Sequence, residues 1–285
     1  MRKTTTFGAR STADQVLAGI DLSGKHILVT ECDSDIGFET VGALAANGAH
    51  VIAAARTLQD AARVCREVGY HCSALPCDLG DLNSVAAAGA AVRELRLSLD
   101  AIVANSGITD IPSPRFGIGE SALEEHFSVN HIGHFALVND LSGLLRDAAG
   151  RVVIVSGGRA GQHGPVLYAR ELARRLNARG IAVNAVSPGI VRGMRLTQMG
   201  LVGRLAHYAA LPFLRTPAQG AATIVLLAAS PSVAAISGEY WQNCAVARAH
   251  PPLDDGTLAV RLWNTCESAL ARHRDSRARG LAQAA

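Results

Sequence analysis

The segment "VTECDSDIGFET", Val29 to Thr40, lies near the N-terminus between a strand-like run and a helix-like run. In a chain that alternates strands and helices, this is the position of a glycine-rich turn whose backbone N–H groups bind a pyrophosphate. Here the turn carries three acids, Glu31, Asp33 and Asp35. The segment therefore indicates a fold, and it also raises the question of whether a phosphate could bind there.

Strand-like and helix-like runs alternate on both sides of this turn. Strands are predicted at 26–30, 50–55, 71–77, 99–105, 151–156 and 181–187, and helices at 36–47, 58–68, 82–95, 121–145 and 166–178. A further helix is expected to begin at Thr216-Pro217, because proline suits the first helical turn. Such alternation produces right-handed βαβ units. It predicts an α/β fold, a doubly wound (Rossmann-type) parallel sheet of about seven strands with helices on both faces.

The length and composition fit one domain. The chain has 285 residues, of which 49% are apolar, and this suits a buried parallel sheet covered by helices. We find no internal repeat or low-complexity linker. The predicted organisation is a leader segment at 1–24, a single domain at 25–272 and a flexible basic tail at 273–285.

The composition also favours a cytoplasmic protein without a nucleic-acid partner or a membrane span. The net charge is only +3, and the basic excess near the C-terminus is most simply a solvated tail. No run of about eighteen apolar residues is present, and the N-terminus lacks an apolar signal sequence. The six cysteines have no CxxC or zinc-type spacing, which predicts reduced thiols at Cys32, Cys65, Cys72, Cys77, Cys244 and Cys266.

Lysine is almost absent from the chain. It occurs only at Lys3 and Lys25, and the other basic residues among the 27 are arginine. Any mechanism that needs a lysine in the middle of the chain is therefore excluded.

Several sequence blocks occur in the order typical of a known family. They are "IGFETVGALAANGAHVI", "CDLGDLNSV", "VNHIGHFALV", "RELARRL", "VNAVSPGIVR" and "SGEYWQNC". Together they resemble the short-chain dehydrogenase/reductase family, closest to its branch of retinol dehydrogenases and WW-domain-containing oxidoreductases. The resemblance covers roughly residues 11–270. It implies an oxidoreductase that uses NAD(P)(H).

The nucleotide loop departs from the family pattern TGxxxGxG. The corresponding residues run from Thr30 to Gly37, and only the last glycine remains. A carboxylate about 5 Å from a phosphate charge costs roughly 3 kcal/mol at an effective dielectric near 20, or about a hundredfold in affinity. The acids could be solvated loop residues, a cation site formed by Glu31, Asp33 and Asp35, or the sign of a lost dinucleotide site.

Other cofactor contacts remain by resemblance. Arg56 stands where the family places either an acid for the ribose or a base for a 2′-phosphate, which favours NADP(H). Asp78 matches the adenine contact, although it could simply cap a turn, and Asn105 could simply tie two loops together. The remaining positions that the resemblance assigns to the cofactor are Thr30, Ser34, Ile36, Gly37, Gly107, Pro188 and Gly189.

The catalytic Asn–Ser–Tyr–Lys set of the family is only partly present. Asn130 matches the asparagine, and Ser156 matches the first of two paired serines, whose usual catalytic member is glycine here. Tyr168 aligns best with a packing aromatic. Placing it at the catalytic tyrosine puts Leu172 where the lysine belongs, so either alignment lacks the lysine. His163 is the nearby candidate for a replacement acid/base, whereas helix-pattern histidines such as His134 are expected to pack or face solvent.

Two further expectations concern the ligand and the assembly. The segment 193–214 lies where relatives carry a mobile helix over the substrate pocket, so it would offer either an adaptable apolar wall or an ordinary packed helix. The helix that carries YxxxK in relatives should begin near Pro165, with about thirteen residues. Since this shortening removes apolar area from the dimer interface of the family, we expect a monomer or a rearranged dimer.

Three functions remain open. The first is a catalytically impaired relative that binds an apolar small molecule or a protein partner and binds NADP(H) weakly or not at all. The second is a non-standard NADP(H)-dependent oxidoreductase that acts on an apolar alcohol or ketone. The third is a non-redox enzyme that uses the same pocket.

Overall fold

The computed structural model describes residues 5–69, 71–105, 129–156, 163–192, 214–249 and 256–284. Eight strands are found in these ranges, and they form one sheet in the order β3-β2-β1-β4-β5-β6-β7-β8. The strands are β1 His26–Val29, β2 His50–Ala55, β3 Cys72–Pro76, β4 Ala101–Ala104, β5 Arg151–Val155, β6 Ala182–Ser187, β7 Tyr240–Gln242 and β8 Ala245–Ala247. The doubly wound fold is therefore confirmed.

The sheet is parallel except at one edge. Strands β1 to β7 pair in parallel, for example Ile27 with Val51, and β8 pairs antiparallel with β7. The sequence predicts about seven strands and no hairpin here. The extra strand follows from a two-residue turn, Asn243-Cys244, in which both residues have positive φ, as a tight hairpin turn requires.

Eight helices cover the sheet in the described ranges. They are α1 Ala13–Leu17, α2 Asp35–Ala46, α3 Leu58–Val68, α4 Leu82–Glu94, α5 Val129–Leu141, α6 His163–Leu176, α7 Pro217–Ala229 and α8 Gly256–Ala284. Helix α6 begins slightly earlier than the sequence predicts, and Pro165 still lies in its first turn, where its missing N–H has no consequence. The start of the helix predicted at 121–145 lies outside the described residues.

Short polar side chains begin several of these helices. Ser34 accepts a hydrogen bond from the Gly37 N–H at the start of α2, and Thr57 does the same for Asp60 at the start of α3. Thr216 and Gln219 form a reciprocal capping box at the start of α7, with Pro217 in the first turn. This confirms the helix start that the Thr-Pro pair predicts.

Two apolar layers enclose the sheet. One layer joins α4, α5, α6 and α8 to one face, and the other joins α1, α2, α3 and α7 to the opposite face. The leader belongs to the second layer, since Val16 and Leu17 are buried and the Gln219 side chain donates to the Arg10 carbonyl. At the other end of the chain, residues 273–284, predicted as a flexible tail, continue helix α8. The division into leader, domain and tail stays a prediction.

The prediction of six reduced thiols is wrong for one pair. Cys65, at the end of α3, forms a disulfide with Cys72, the first residue of β3. The short connection turns through Gly69, which has a φ of 98°, and brings the two Cα atoms to 5.2 Å, within the usual range for a disulfide. The other four cysteines are free and buried.

Among the described helices, none is both long enough and apolar enough to cross a membrane.

Candidate functional site

The predicted site lies at the carboxyl ends of the central strands. Thr30 follows β1, Asn105 follows β4 and Ser156 follows β5, and these three strands are neighbours in the sheet. In open α/β sheets, ligands bind in the crevice outside this edge. The fold therefore brings together the residues that the sequence assigns to the nucleotide loop and to the first catalytic serine.

The nucleotide loop keeps a glycine-like backbone at a position that is no longer glycine. Glu31 has a φ of 45°, in the left-handed region that glycine adopts without strain and most other residues avoid. The next residue, Cys32, is fully buried, and its N–H donates to the Ala54 carbonyl at 3.0 Å. Burial and the neighbouring Asp33 raise the pKa of the Cys32 thiol to about 12. The turn is thus anchored to β2 by its backbone.

Gly37, the glycine that remains, is required by packing within the turn. A Cβ at this position would lie 2.2 Å from the Glu31 carbonyl oxygen and 2.9 Å from the Cys32 Cα. These are backbone atoms, so the clash could not be relieved by a side-chain rotation. Gly37 therefore permits helix α2 to start directly against the loop, independently of any phosphate.

Asn105 fixes the loop from the neighbouring strand. Its side-chain amide donates to the Glu31 carbonyl at 3.2 Å and to Ser34 Oγ at 3.1 Å, and Asn105 is buried. Ser34 Oγ in turn donates to the Glu31 carbonyl at 2.8 Å. Asn105 thus connects two loops, which is the structural alternative to a cofactor contact that the sequence analysis gives for it.

Thr30 connects the loop to helix α5. Its hydroxyl donates to the Asn105 carbonyl at 2.9 Å and lies 2.7 Å from His134 Nε2. Because Thr30 has one hydroxyl proton, donation to Asn105 requires that His134 donate from Nε2. His134, which is buried, therefore joins the nucleotide loop to the helix that begins with Val129 and Asn130.

The three acids of the loop do not form a metal site. The Asp33 and Asp35 side chains are exposed, and Glu31 is half-buried. No group of three or more His, Cys, Asp or Glu side chains in the described ranges is arranged to hold a metal ion. The cation site that the sequence leaves open is therefore not present at these residues.

The turn differs from a pyrophosphate-binding loop at two glycine positions. A phosphate bound here would accept hydrogen bonds from the loop N–H groups and from the start of α2. Side chains now stand at the two positions where the family has glycine, Glu31 in its left-handed conformation and Asp35 as the first residue of α2. Each adds a Cβ and a carboxylate to the turn, and we derive no chemical step through a dinucleotide.

Arg56 and Asp78, which the resemblance assigns to the adenosine part of the cofactor, lie close to each other. Arg56 Nε lies 3.9 Å from Asp78 Oδ1, and the Arg56 side chain is 78% exposed. Asp78 also accepts a hydrogen bond from the Gly80 N–H at 2.9 Å. This contact caps a turn, which is the structural alternative to an adenine contact that the sequence analysis gives for Asp78. An exposed guanidinium remains available there for a phosphate.

Pro188 and Gly189 follow β6 and are covered by an arginine. Arg215 donates to the Pro188 carbonyl at 2.9 Å and to the Asn243 side chain. A Cβ on Gly189 would lie 2.8 Å from the Arg215 guanidinium carbon, so glycine allows this close approach. Ile36, another predicted cofactor contact, packs close to Gly220 at the start of α7.

Ser156 is a buried residue at the end of β5. Its hydroxyl donates to the Val186 carbonyl of β6 at 3.1 Å, and its exposed fraction is 0%. Asn130 lies in the first turn of α5, one helical turn before His134. Both therefore lie near the carboxyl edge of the sheet, and their catalytic roles stay predictions.

Tyr168 lies within an aromatic cluster on the second turn of α6. Its ring centroid is 5.3 Å from that of Phe135 in α5 and 5.9 Å from that of Trp263 in α8, while Arg175 stacks over Trp263 at 4.0 Å. The Tyr168 hydroxyl is buried and has no hydrogen-bond partner in the described part of the chain. Burial raises its pKa well above the ordinary value, with a smaller effect of Cys266. These contacts are those of a packing aromatic.

Lys25 lies at the opposite edge of the sheet. It precedes β1, and its ammonium is 3.0 Å from Asp100 Oδ1, which Arg146 Nε also approaches to 3.1 Å. Asp100 accepts a further bond from the His26 N–H. Lys25 thus belongs to an ion-pair network at the amino ends of the strands, a full strand length from Ser156.

Some predicted positions lie outside the described residues. These are Gly107, Gly157 and nearly all of the predicted pocket wall, 193–213.

The structure also brings to the site residues that the sequence did not assign to it. Ser187 and Tyr240 lie beside Ser156, His134 contacts Thr30, and Arg215 covers Gly189. Ser187 and Tyr240 sit in short strands whose alternation predicts only burial. Their proximity depends on the order of β5, β6 and β7, which the local pattern does not specify.

Comparisons with known proteins agree with this geometry. Residues 25–200 match the short chain dehydrogenase family. The chain is 31% identical to the human WW domain-containing oxidoreductase over 92% of its own length and 72% of the relative's. It is 30% identical to human retinol dehydrogenase 14 over 86% of each chain. A solved 3-ketoacyl-(acyl-carrier-protein) reductase from Brucella melitensis, complexed with NADH, has a TM-score of 0.61 at 22% identity, covering 77% of this chain and 96% of its own.

Proposed function

The chain belongs to the short-chain dehydrogenase/reductase family, and within that family we propose that it is a catalytically impaired relative. In this proposal the crevice at the carboxyl edge of the sheet binds an apolar small molecule, or presents a surface to a partner, without hydride transfer by a Tyr–Lys pair. NADP(H) binds in the millimolar range or not at all.

The observation that carries the proposal is the position of the lysines. Apart from Lys3, the chain has only Lys25, and Lys25 pairs with Asp100 at the amino edge of the sheet. A lysine that lowers the pKa of a catalytic tyrosine must lie within about 4–6 Å of it. Lys25 cannot serve at the carboxyl edge without leaving its ion pair and crossing the sheet.

The tyrosine and the nucleotide loop support the same conclusion independently. Tyr168 is buried between Phe135 and Trp263, and its raised pKa makes the phenol a poorer acid. The loop presents side chains from Glu31 and Asp35 where the family has glycine. The nucleotide loop and helix α6 are distant in sequence, and each lacks residues that hydride transfer requires in the family.

The packing of the last helix supports a monomer or a rearranged dimer. Trp263 and Cys266 of α8 are buried against α5 and α6, the helices through which relatives are expected to dimerise. An element of the same chain thus occupies part of that surface. Four of the six cysteines are free, which favours the cytoplasm as the compartment, whereas the Cys65–Cys72 disulfide does not. No nucleic-acid partner is proposed.

A non-standard NADP(H)-dependent oxidoreductase is the second candidate, and one observation favours it. Arg56 remains exposed beside Asp78, in the position that suits a 2′-phosphate. The named relatives are oxidoreductases. In this case the substrate is an apolar alcohol or ketone, and the proton must move through a group other than a Tyr–Lys pair.

A titration of the wild-type protein with NADPH and NADP⁺ separates the two candidates. Isothermal titration calorimetry should give dissociation constants in the millimolar range or no measurable heat. NADH is the matched comparison, since a preference for NADPH over NADH reports contact with Arg56. Micromolar binding of NADPH would reject the impaired-enzyme proposal in favour of the non-standard oxidoreductase.

A further inference from the structure

One pair of cysteines differs from the other four in its position. Cys65 lies in the last turn of α3 and Cys72 begins β3, and both are half-buried at the rim of an apolar layer. The four free thiols are buried inside the two layers: Cys32, Cys77, Cys244 and Cys266. Small solutes can therefore reach the bonded pair more readily than any other cysteine of the chain.

The four buried thiols are also poorly reactive. The thiolate, and not the thiol, attacks a disulfide or an alkylating reagent. Burial raises the pKa of Cys32, Cys77 and Cys266 to about 12, and it raises that of Cys244 as well. These thiols stay protonated near neutral pH, so thiol–disulfide chemistry in the folded protein is restricted to Cys65 and Cys72.

The backbone holds the two bonded cysteines next to each other. They are seven positions apart, and their Cα atoms are 5.2 Å apart. Gly69 donates to the Cys65 carbonyl at 3.0 Å, and the His71 carbonyl accepts from the Val51 N–H of β2 at 2.7 Å. Because these bonds fix the ends of the connection without the sulfur atoms, the disulfide can open and close again within the same fold.

The bond lies at an edge of the sheet. Strand β3 comes first in the strand order, and β2 is its one neighbour in the described sheet. Helix α3 packs on both strands. We call α3 and β3, residues 58–76, the edge unit. A strand with a single neighbour opens locally more readily than a central one, and a cross-link to the preceding helix restricts such opening.

The cysteines as a set indicate a bond that is not permanent. Four free thiols favour the cytoplasm, where the cell keeps thiols reduced and the disulfides that do form are usually transient. A half-buried pair held in bonding geometry suits such a role. We propose that Cys65 and Cys72 form a reversible thiol–disulfide site, which glutathione opens and glutathione disulfide closes, and that the closed bond restrains the edge unit. This proposal does not depend on the proposed function.

The reaction at this site balances with glutathione alone. To open the site, a glutathione thiolate attacks one protein sulfur, the bond between Cys65 and Cys72 breaks, and a mixed disulfide forms. A second glutathione displaces the protein sulfur from this mixed disulfide. Two glutathione molecules thereby become one glutathione disulfide, and the two cysteines gain two electrons and two protons. Closing the site is the reverse reaction.

Alkylation of the folded, full-length protein tests the chemistry. The protein is equilibrated with glutathione or with glutathione disulfide, treated with iodoacetamide without denaturant, and analysed by peptide mass spectrometry. With glutathione, Cys65 and Cys72 should both be labelled, and the four buried cysteines should not. With glutathione disulfide, neither should be labelled, and renewed addition of glutathione should restore both labels. Protein unfolded in guanidinium is the control in which every reduced cysteine is labelled.

Hydrogen exchange tests what the bond restrains. Reduction should accelerate amide exchange in residues 58–76 by at least about tenfold and leave β5 and β6 unchanged. The double variant Cys65→Ala with Cys72→Ala should exchange as the reduced wild type does and should not respond to glutathione disulfide. The matched comparison between this variant and the reduced wild type separates loss of the bond from a change of side chain. The reduced wild type also carries the test if the variant fails to fold.

Other results would overturn the proposal. A disulfide that glutathione opens only in denaturant, or thiols that glutathione disulfide does not join again, would reject a reversible site. Labelling of a buried cysteine before Cys65 and Cys72 would reject the restriction of the chemistry to this pair. Equal exchange of residues 58–76 in the oxidised and reduced protein would reject the restraint on the edge unit. None of these measurements uses NADPH, so the titration that tests the proposed function can fail or succeed separately.

Discussion

The nucleotide loop and helix α6 have departed from the family pattern in different ways. The loop has exchanged two glycines for acids, yet Glu31 keeps a left-handed φ, and Gly37 and Asn105 still hold the turn. Helix α6 has no lysine, and Tyr168 is part of its packing. Gly37 and Asn105, which hold the shape of the loop, are retained, whereas the two other loop glycines and the catalytic lysine are not. The loop should therefore be repairable by substitution, and the helix should not.

The largest effect is expected from removing the packing role of Tyr168. Tyr168→Ala should lower the free energy of unfolding by about 4 kcal/mol, because it opens a cavity between Phe135 and Trp263. Tyr168→Phe should leave stability unchanged, since the hydroxyl has no described partner. Urea denaturation measures both. A Tyr168→Phe variant as unstable as Tyr168→Ala would show that the hydroxyl, and not the ring, is what α6 requires.

The shape of the loop is tested by a pair of glycines on α2. Gly37→Ala should reduce the free energy of unfolding by about 3 kcal/mol, because its Cβ would meet the Glu31 carbonyl at 2.2 Å. Gly42→Ala is the matched control. No atom lies within 4 Å of a Cβ at Gly42, so alanine should stabilise the helix by up to about 1 kcal/mol. Equal effects of the two substitutions in urea denaturation would contradict the packing role of Gly37.

The pH dependence of stability tests how α6 uses its charges. Glu171 is buried, and hydrogen bonds and charge from Arg174, followed by those from Arg175, hold its pKa below the ordinary 4.5. A carboxyl whose pKa is lower in the folded state stabilises the protein above its ordinary pKa. This stability is lost as the pH falls through the folded-state value.

Glu171→Gln should therefore remove about 2 kcal/mol near neutral pH and less at low pH. Free energies of unfolding of both proteins between pH 3 and pH 7 give the comparison. A constant difference across this range would show that Glu171 does not titrate differently in the folded and unfolded states.

The local sequence pattern predicts most helices and strands well. The features that it does not predict depend on contacts between segments of the fold. The bounds of α3 and β2 follow directly from periodicity and from the Thr57 cap. The eighth strand depends on positive φ at Asn243 and Cys244, for which the sequence has no glycine signal. The disulfide depends on the distance between the end of α3 and the start of β3, which spacing alone does not specify.

The sequence predicts where the candidate site lies in the fold, but not the conformations and contacts of its residues. The order of strand and helix places the nucleotide loop at the end of β1, and the count of lysines excludes the catalytic pair. The left-handed Glu31 and the convergence of Tyr240 with Ser156 could not be predicted. Each depends on contacts between segments separated by more than seventy residues, such as the bond from Asn105 to the Glu31 carbonyl.

Restoring the glycines of the loop tests the central claim most directly. The double variant Glu31→Gly and Asp35→Gly removes two Cβ atoms and two charges from the pyrophosphate approach, in a turn whose backbone already suits glycine at position 31. NADPH affinity should rise by at least about tenfold, or 1.4 kcal/mol, and should exceed NADH affinity because of Arg56. The repaired protein should still fail to reduce a carbonyl efficiently, since the Tyr–Lys pair is absent.

Asp33→Gly is the control for this experiment, because Asp33 is exposed and lies at a position where the family has no glycine. It should change NADPH affinity much less than the double substitution. The deciding measurement is the isothermal titration of NADPH into the wild type, the double variant and Asp33→Gly. We predict a wild-type dissociation constant in the millimolar range or beyond, tightened about tenfold or more only by the double substitution. Micromolar binding by the wild type, or a double variant that binds no better, would contradict the account.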